Sequence, residues 1–134
     1  MSEAPNKILL VEDDQFLSSL LKNRLEKENF EVIPVYDGVE ALARLRAEKP
    51  DLILLDIILP GKSGFEVLEE VRNDPQLQNK RSIPVIVISN LGQESDLERS
   101  RQLGAVDYFV KARTSIDELV KMVEKVIHSS PAKK

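Results

Sequence analysis

Pro50-Asp-Leu-Ile-Leu-Leu-Asp56 is the stretch that decides the fold. Its core, residues 51–55, has no polar alternation, so a strand here presents no wet face. Such a strand belongs at the centre of a parallel sheet covered on both sides. Upstream, Lys7-Ile-Leu-Leu-Val11 is a second short apolar strand. Residues 15–28 place Phe16, Leu17, Leu20, Leu21 and Leu25 at helical spacing, with Asp14 as a cap rather than a ligand. Residues 31–35 form a strand interrupted by Pro34. Proline has no N–H for a ladder, which sends this strand to a sheet edge. A helix over 38–48 carries Val39, Leu42, Ala43 and Leu45 and ends before Pro50.

Downstream the alternation continues. After Pro60 and Gly61, residues 64–73 put Phe65, Leu68 and Val71 on one helical stripe. Ile83-Pro-Val-Ile-Val-Ile88 is the fourth strand, 94–103 a charged helix with only Leu97 and Leu103 to bury, and 106–110 the fifth strand. Residues 115–127 form an amphipathic helix with Ile116, Leu119, Val120, Val123 and Ile127 inward and Ser115 as its N-cap. Strand then helix, five times over, predicts a doubly wound α/β fold with right-handed crossovers and five helices. The edge and centre placements give the parallel order 2-1-3-4-5, a flavodoxin-like sheet.

The chain has 134 residues, enough for one domain. It divides into a tail at 1–6, the domain at 7–128, and a polar tail or linker start at 129–134. Apolar residues make up 42% and charged residues 31%, which excludes a disordered chain and a membrane protein. There is no cysteine, so thiol catalysis, disulfides and Cys-ligated metals are excluded together. The single histidine, His128, suits the C-terminal turn of the last helix and builds no metal cluster. Nineteen Lys plus Arg against 23 Asp plus Glu leave a net charge of −4, which disfavours sequence-independent nucleic-acid binding. The first residues form no targeting segment, and the expected location is the cytoplasm.

Ligands of an open parallel sheet sit outside the carboxyl ends of its strands. Those ends are Glu12-Asp13-Asp14, Asp56, Ser89-Asn90 and Lys111, with Tyr36-Asp37 off to the side. Several carboxylates in one cleft call for a cation, and all-oxygen ligands call for a hard one: Mg2+, or Mn2+ in its place. Lysine, hydroxyl and metal around one Asp suit phosphoryl transfer onto that Asp. A dinucleotide site is disfavoured, because an acidic triplet stands where a Gly-rich turn would bind pyrophosphate.

Leu10-Val-Glu-Asp-Asp14, Leu55-Asp-Ile-Ile-Leu-Pro-Gly-Lys-Ser-Gly64, Ile86-Val-Ile-Ser89 and Asp107-Tyr-Phe-Val-Lys111 together resemble the receiver domain of bacterial two-component response regulators. The resemblance runs from residue 7 to about 127, essentially the whole domain. It implies Asp56 as phosphoacceptor, Asp13 as a direct metal ligand, Glu12 acting mostly through water, and the Ile58 carbonyl completing the Mg2+ shell. It implies Ser89 and Tyr108 as switch residues and Lys111 as the ion-pairing lysine, with Pro60 and Gly64 shaping the loop after Asp56. The implied donor is a histidine kinase or a histidine phosphotransfer protein. The implied output is a downstream protein or a fused domain, from a monomer or a phosphorylation-promoted homodimer, without direct contact to nucleic acid or membrane.

A phosphate-independent interaction module, a pseudo-receiver, is the alternative, disfavoured by the intact acidic pair, Asp, Ser and Lys. An aspartyl phosphatase would need a carboxylate where Ile58 stands. Three departures stand out. Ala112 replaces the usual cis proline, Asn90 replaces a small residue, and the connection 73–82 is longer than expected.

Overall fold

The computed structural model describes residues 5–90, 94–111 and 115–129. Its elements run β1 (Lys7–Val11), α1 (Gln15–Lys27), β2 (Glu31–Val35), α2 (Gly38–Ala47), β3 (Leu52–Asp56), α3 (Gly64–Asn73), a 3₁₀ helix (Pro75–Lys80), β4 (Val85–Ser89), α4 (Glu94–Gln102), β5 (Asp107–Val110) and α5 (Ile116–Ser129). The sheet is parallel throughout, in the order β2-β1-β3-β4-β5, as the edge proline and the all-apolar central run predict.

The sheet divides the core in two. Leu9, Val11, Ile53, Leu55, Val85 and Val87 face α2 and α3. Ile8, Leu10, Leu52, Leu54, Ile86 and Ile88 face α1 and α5. Successive side chains alternate between the layers because a strand has a period of two, and both layers are apolar. Burying each of these side chains fully contributes about 1.5–3 kcal/mol.

Caps set the helix starts. Asp14 accepts from the Leu17 amide at 3.1 Å, which settles its reading as a cap. Ser63 and Glu66 close a capping box on α3, and Ser115 with Glu118 makes the same reciprocal pair on α5. Phe16 and Leu20 share the rhythm of α1 yet face outward, 80% and 40% exposed. The buried stripe of α1 is Ser18, Leu21 and Leu25, and an i, i+4 pair one residue before Leu21 falls outside it. α4 buries only Ser100 of its nine residues. Polar contacts attach it instead: Arg99 lies 4.3 Å over the Phe65 ring, and Arg72 donates to the Gln102 carbonyl at 3.3 Å.

Strand limits shift by one or two residues from the sequence expectation. Asp51 precedes β3 and uses its carboxylate to accept the Lys7 amide at 2.7 Å. The long connection 73–82 is structured. Asp74 caps its 3₁₀ helix, Leu77 is fully buried among the α2 and α3 side chains, and the buried Lys80 ammonium donates to the Leu45 carbonyl at the end of α2.

Candidate functional site

Four strands deliver polar groups to one rim. β1 ends at Val11, and the next residue, Glu12, extends the parallel pairing by donating its amide to the Val35 carbonyl at 3.1 Å. Its side chain turns inward and is fully buried. The Asp14 amide holds Glu12 Oε2 at 3.0 Å. Asp13, between them, is exposed. β3 carries Asp56 as its last residue, 5% exposed. β4 ends in Ser89, fully buried, and the Ser89 carbonyl accepts the Lys111 amide at 2.8 Å, which brings the residue after β5 to the same place.

Carboxylate oxygens of Glu12, Asp13 and Asp56 all lie within 4.8 Å of one another. The Lys111 ammonium is 2.7 Å from Glu12 Oε1 and 2.9 Å from Asp56 Oδ2. The second Asp56 oxygen, Oδ1, accepts the Ile58 amide at 3.2 Å. The Asp56 carboxylate is therefore gripped at both oxygens, one by a charge and one by the backbone. The chain turns away tightly behind it. Gly64 donates to the Ile57 carbonyl at 2.7 Å, and a Cβ at Gly64 would stand 2.3 Å from the Asp56 carbonyl oxygen.

The electrostatics follow from burial. Desolvation pushes Glu12 up from 4.5 to about 7, and the Asp56 charge adds to that, while the Lys111 ammonium and the Asp14 amide pull it down. Burial opposes the Lys111 charge, but its two carboxylate partners outweigh burial and raise its pKa. Three crowded carboxylates, one of them costly to ionise in the bare pocket, fit a hard divalent cation with all-oxygen ligation. Glu12, Asp13, Asp56 and the backbone at Ile58 are the residues that would hold it. Such an ion would supply charge neutralisation for an anionic group entering the pocket.

The half-buried Tyr108 hydrogen-bonds to the Ser89 side chain, and burial raises its pKa. The two expected switch residues are thus in contact. Asn90 is exposed, whereas its neighbour Ser89 is buried. Ala112 and Leu91 lie outside the described residues. His128 is exposed in the last turn of α5. Sequence reasoning missed the second role of Asp14, whose amide positions Glu12. A main-chain donor has no residue signature, so no sequence signal marks it.

The family model for the response regulator receiver domain matches residues 8–124. Among curated relatives, the phosphate regulon transcriptional regulatory protein PhoB of Rhizobium meliloti is 43% identical over 105 residues, covering 78% of this chain and 45% of that protein. Among solved structures, the phosphorylated cyanobacterial phytochrome response regulator RcpA superposes with a TM-score of 0.79 at 38% identity, covering 94% of this chain and 96% of that one. The Mn2+-bound response regulator Rcp1 gives a TM-score of 0.75 at 37% identity, covering 91% of each chain. The chain spans about half the length of the curated relatives it matches, between 42% and 50% for the first three.

Proposed function

The chain belongs to the response regulator receiver domain family, and from that premise we propose that it is a phosphorylation-controlled switch whose acceptor is Asp56. One observation carries the reading: the only carboxylate that ends the central strand is buried, held at 2.9 Å by an ammonium and flanked by two further acids within 4.8 Å. An Asp56 oxygen attacks the phosphorus of a phosphohistidine. The P–O bond forms as the P–N bond breaks, and the electron pair leaves on the imidazole nitrogen, which takes up a proton. Lys111 neutralises charge on the transferred group, and Ser89 donates its hydroxyl to a phosphoryl oxygen. Mg2+, or Mn2+ as in the solved Rcp1 structure, occupies the acidic pocket. The protein so assists its own phosphorylation and dephosphorylation while acting as a signalling domain.

The donor in this reading is a histidine kinase or a histidine phosphotransfer protein. When Ser89 engages the phosphoryl group it releases Tyr108, and the face formed by α4, β5 and α5 changes its presentation to an output partner. That partner is a fused domain or a separate protein, reached in the cytoplasm, by a monomer or a phosphorylation-promoted homodimer. Among the described residues no helix is long and apolar enough to cross a membrane. The domain of residues 7–128 carries the switch and makes no nucleic-acid contact of its own.

Incubation with acetyl phosphate and Mg2+, followed by intact-mass measurement, tests the proposal. One phosphoryl group should appear in the parent and none in Asp56→Asn. An adduct that persists in the variant would remove Asp56 as sole acceptor. A parent that stays unmodified while still binding Mg2+ would favour a phosphate-independent interaction module.

A further inference from the structure

Loop 57–63 joins β3 to α3 and holds the Ile58 amide that reaches Asp56. Its inner end is fixed by the Gly64–Ile57 hydrogen bond at 2.7 Å. Its outer end rests on the first turn of α2, an element that contributes no side chain to the acidic pocket. The Gly38 amide donates to the Pro60 carbonyl at 3.4 Å. A Cβ at Gly38 would stand 2.1 Å from the Lys62 carbonyl oxygen and 2.8 Å from the Lys62 carbonyl carbon. Helix propensity alone would favour alanine at the start of α2, so what keeps a side chain out is the Lys62 backbone. Val39 extends the contact, with Cγ2 at 3.4 Å from the place a Gly61 Cβ would take.

We propose that Gly38 is a positioning residue for loop 57–63, and that through this contact the β2–α2 corner sets the affinity of the acidic pocket for a divalent cation. The inference rests on the metal reading given under the proposed function. A methyl at position 38 collides with main chain, so relief requires the loop itself to move. Ile58 lies in that loop, four residues before Lys62, and its amide and carbonyl move with it. Mg2+ demands near-octahedral oxygen geometry, and loss of support behind a ligand set weakens metal binding roughly tenfold or more.

The test is a Mg2+ titration followed by amide chemical shifts, on the parent, Gly38→Ala, Asp13→Asn and Ile127→Val. The last is a remote core change on α5 that lowers stability without touching the loop. Gly38→Ala should bind Mg2+ roughly tenfold more weakly, with far-UV circular dichroism unchanged, while Ile127→Val binds as the parent does. In the parent, the Gly38 and Val39 amides should shift in step with Ile58 as the ion is added. A folded Gly38→Ala variant with parental affinity, beside a weakened Asp13→Asn, overturns the positioning role and leaves the metal reading standing. A parent that binds no Mg2+ overturns the metal reading and this inference with it. Should Gly38→Ala fail to fold, the parent decides: Gly38 and Val39 amides that stay still at saturation overturn the proposal.

Discussion

The Lys111 ammonium stands 2.9 Å from Asp56 Oδ2, across 55 residues of chain, and supplies a cation to the pocket from the protein itself. The same ammonium reaches Glu12 at 2.7 Å. Lysine and an added metal ion would therefore address overlapping carboxylates, and the protein carries an internal counter-ion of its own.

Lys111→Met should expose this arrangement. Breaking a buried pair leaves its partners uncompensated, and a loss of about 3 kcal/mol is expected without metal. Mg2+ should then raise the melting midpoint of the variant more than that of the parent, while phosphorylation by acetyl phosphate slows. Equal Mg2+ shifts in the two proteins would argue against shared carboxylates.

Glu12 gives the fold a pH dependence of defined sign. Its carboxyl sits near 4.5 in the unfolded chain and about 7 in the folded one, so between those values the folded state holds the proton more tightly. Stability without metal should fall as pH rises through that window, by several degrees in melting midpoint, roughly what a few kcal/mol produces. Glu12→Gln should flatten this part of the profile, and saturating Mg2+ should reduce the slope because it favours the ionised form. A parental slope retained in Glu12→Gln would assign the effect elsewhere.

The Ser89–Tyr108 hydrogen bond predicts where phosphorylation is felt. Adding phosphodonor should shift amides along α4, β5 and α5 as well as those near residues 12–14 and 56–60. In Tyr108→Phe, which lacks the hydroxyl, the distant shifts should shrink while the local ones persist. Shifts confined to the pocket in the parent would refute the coupling.

The phosphoryl group on Asp56 should be long-lived. Hydrolysis needs a water placed in line, and Ile58, 60% exposed at the rim two residues after the acceptor, has nothing to hold one. Leu91, apolar like Ile58 and two residues beyond Ser89, lies outside the described residues. Decay in Mg2+ after donor removal should be faster in Ile58→Asn by roughly an order of magnitude, less than the roughly hundredfold or more of a fully placed acid–base group. Parental decay as fast as that of the variant would reject the shielding argument.

Most of the fold was legible because strong, simple signals coincide. Pro34 can sit only at an edge, and Leu52 to Leu55 can sit only inside. The polar strand ends were legible for the same reason, since parallel topology sends every such end to one rim. The 3₁₀ helix escaped because a single apolar residue, Leu77, anchors it, and one residue makes no period. The outward turn of Phe16 escaped because periodicity locates an apolar face only to within one residue's rotation. The contacts of the Asp14 amide and the Gly38 backbone are properties of chain geometry, so no residue identity announces them.

A sheet with grease on both sides has a weakness: its pattern says little about register. If β3 slid by one residue, Leu54 would trade layers with Ile53 or Leu55, apolar for apolar, at small cost in burial. What forbids the slide stands at the strand ends. β3 is seated with Leu54 opposite Leu10 and Asp56 opposite Ile88, and one step toward the middle would carry the Asp56 carboxylate into hydrocarbon, away from Lys111 and the Ile58 amide. Glu12 places the same stop on β1. The acids that gather in the pocket are also the catches that keep its strands from slipping.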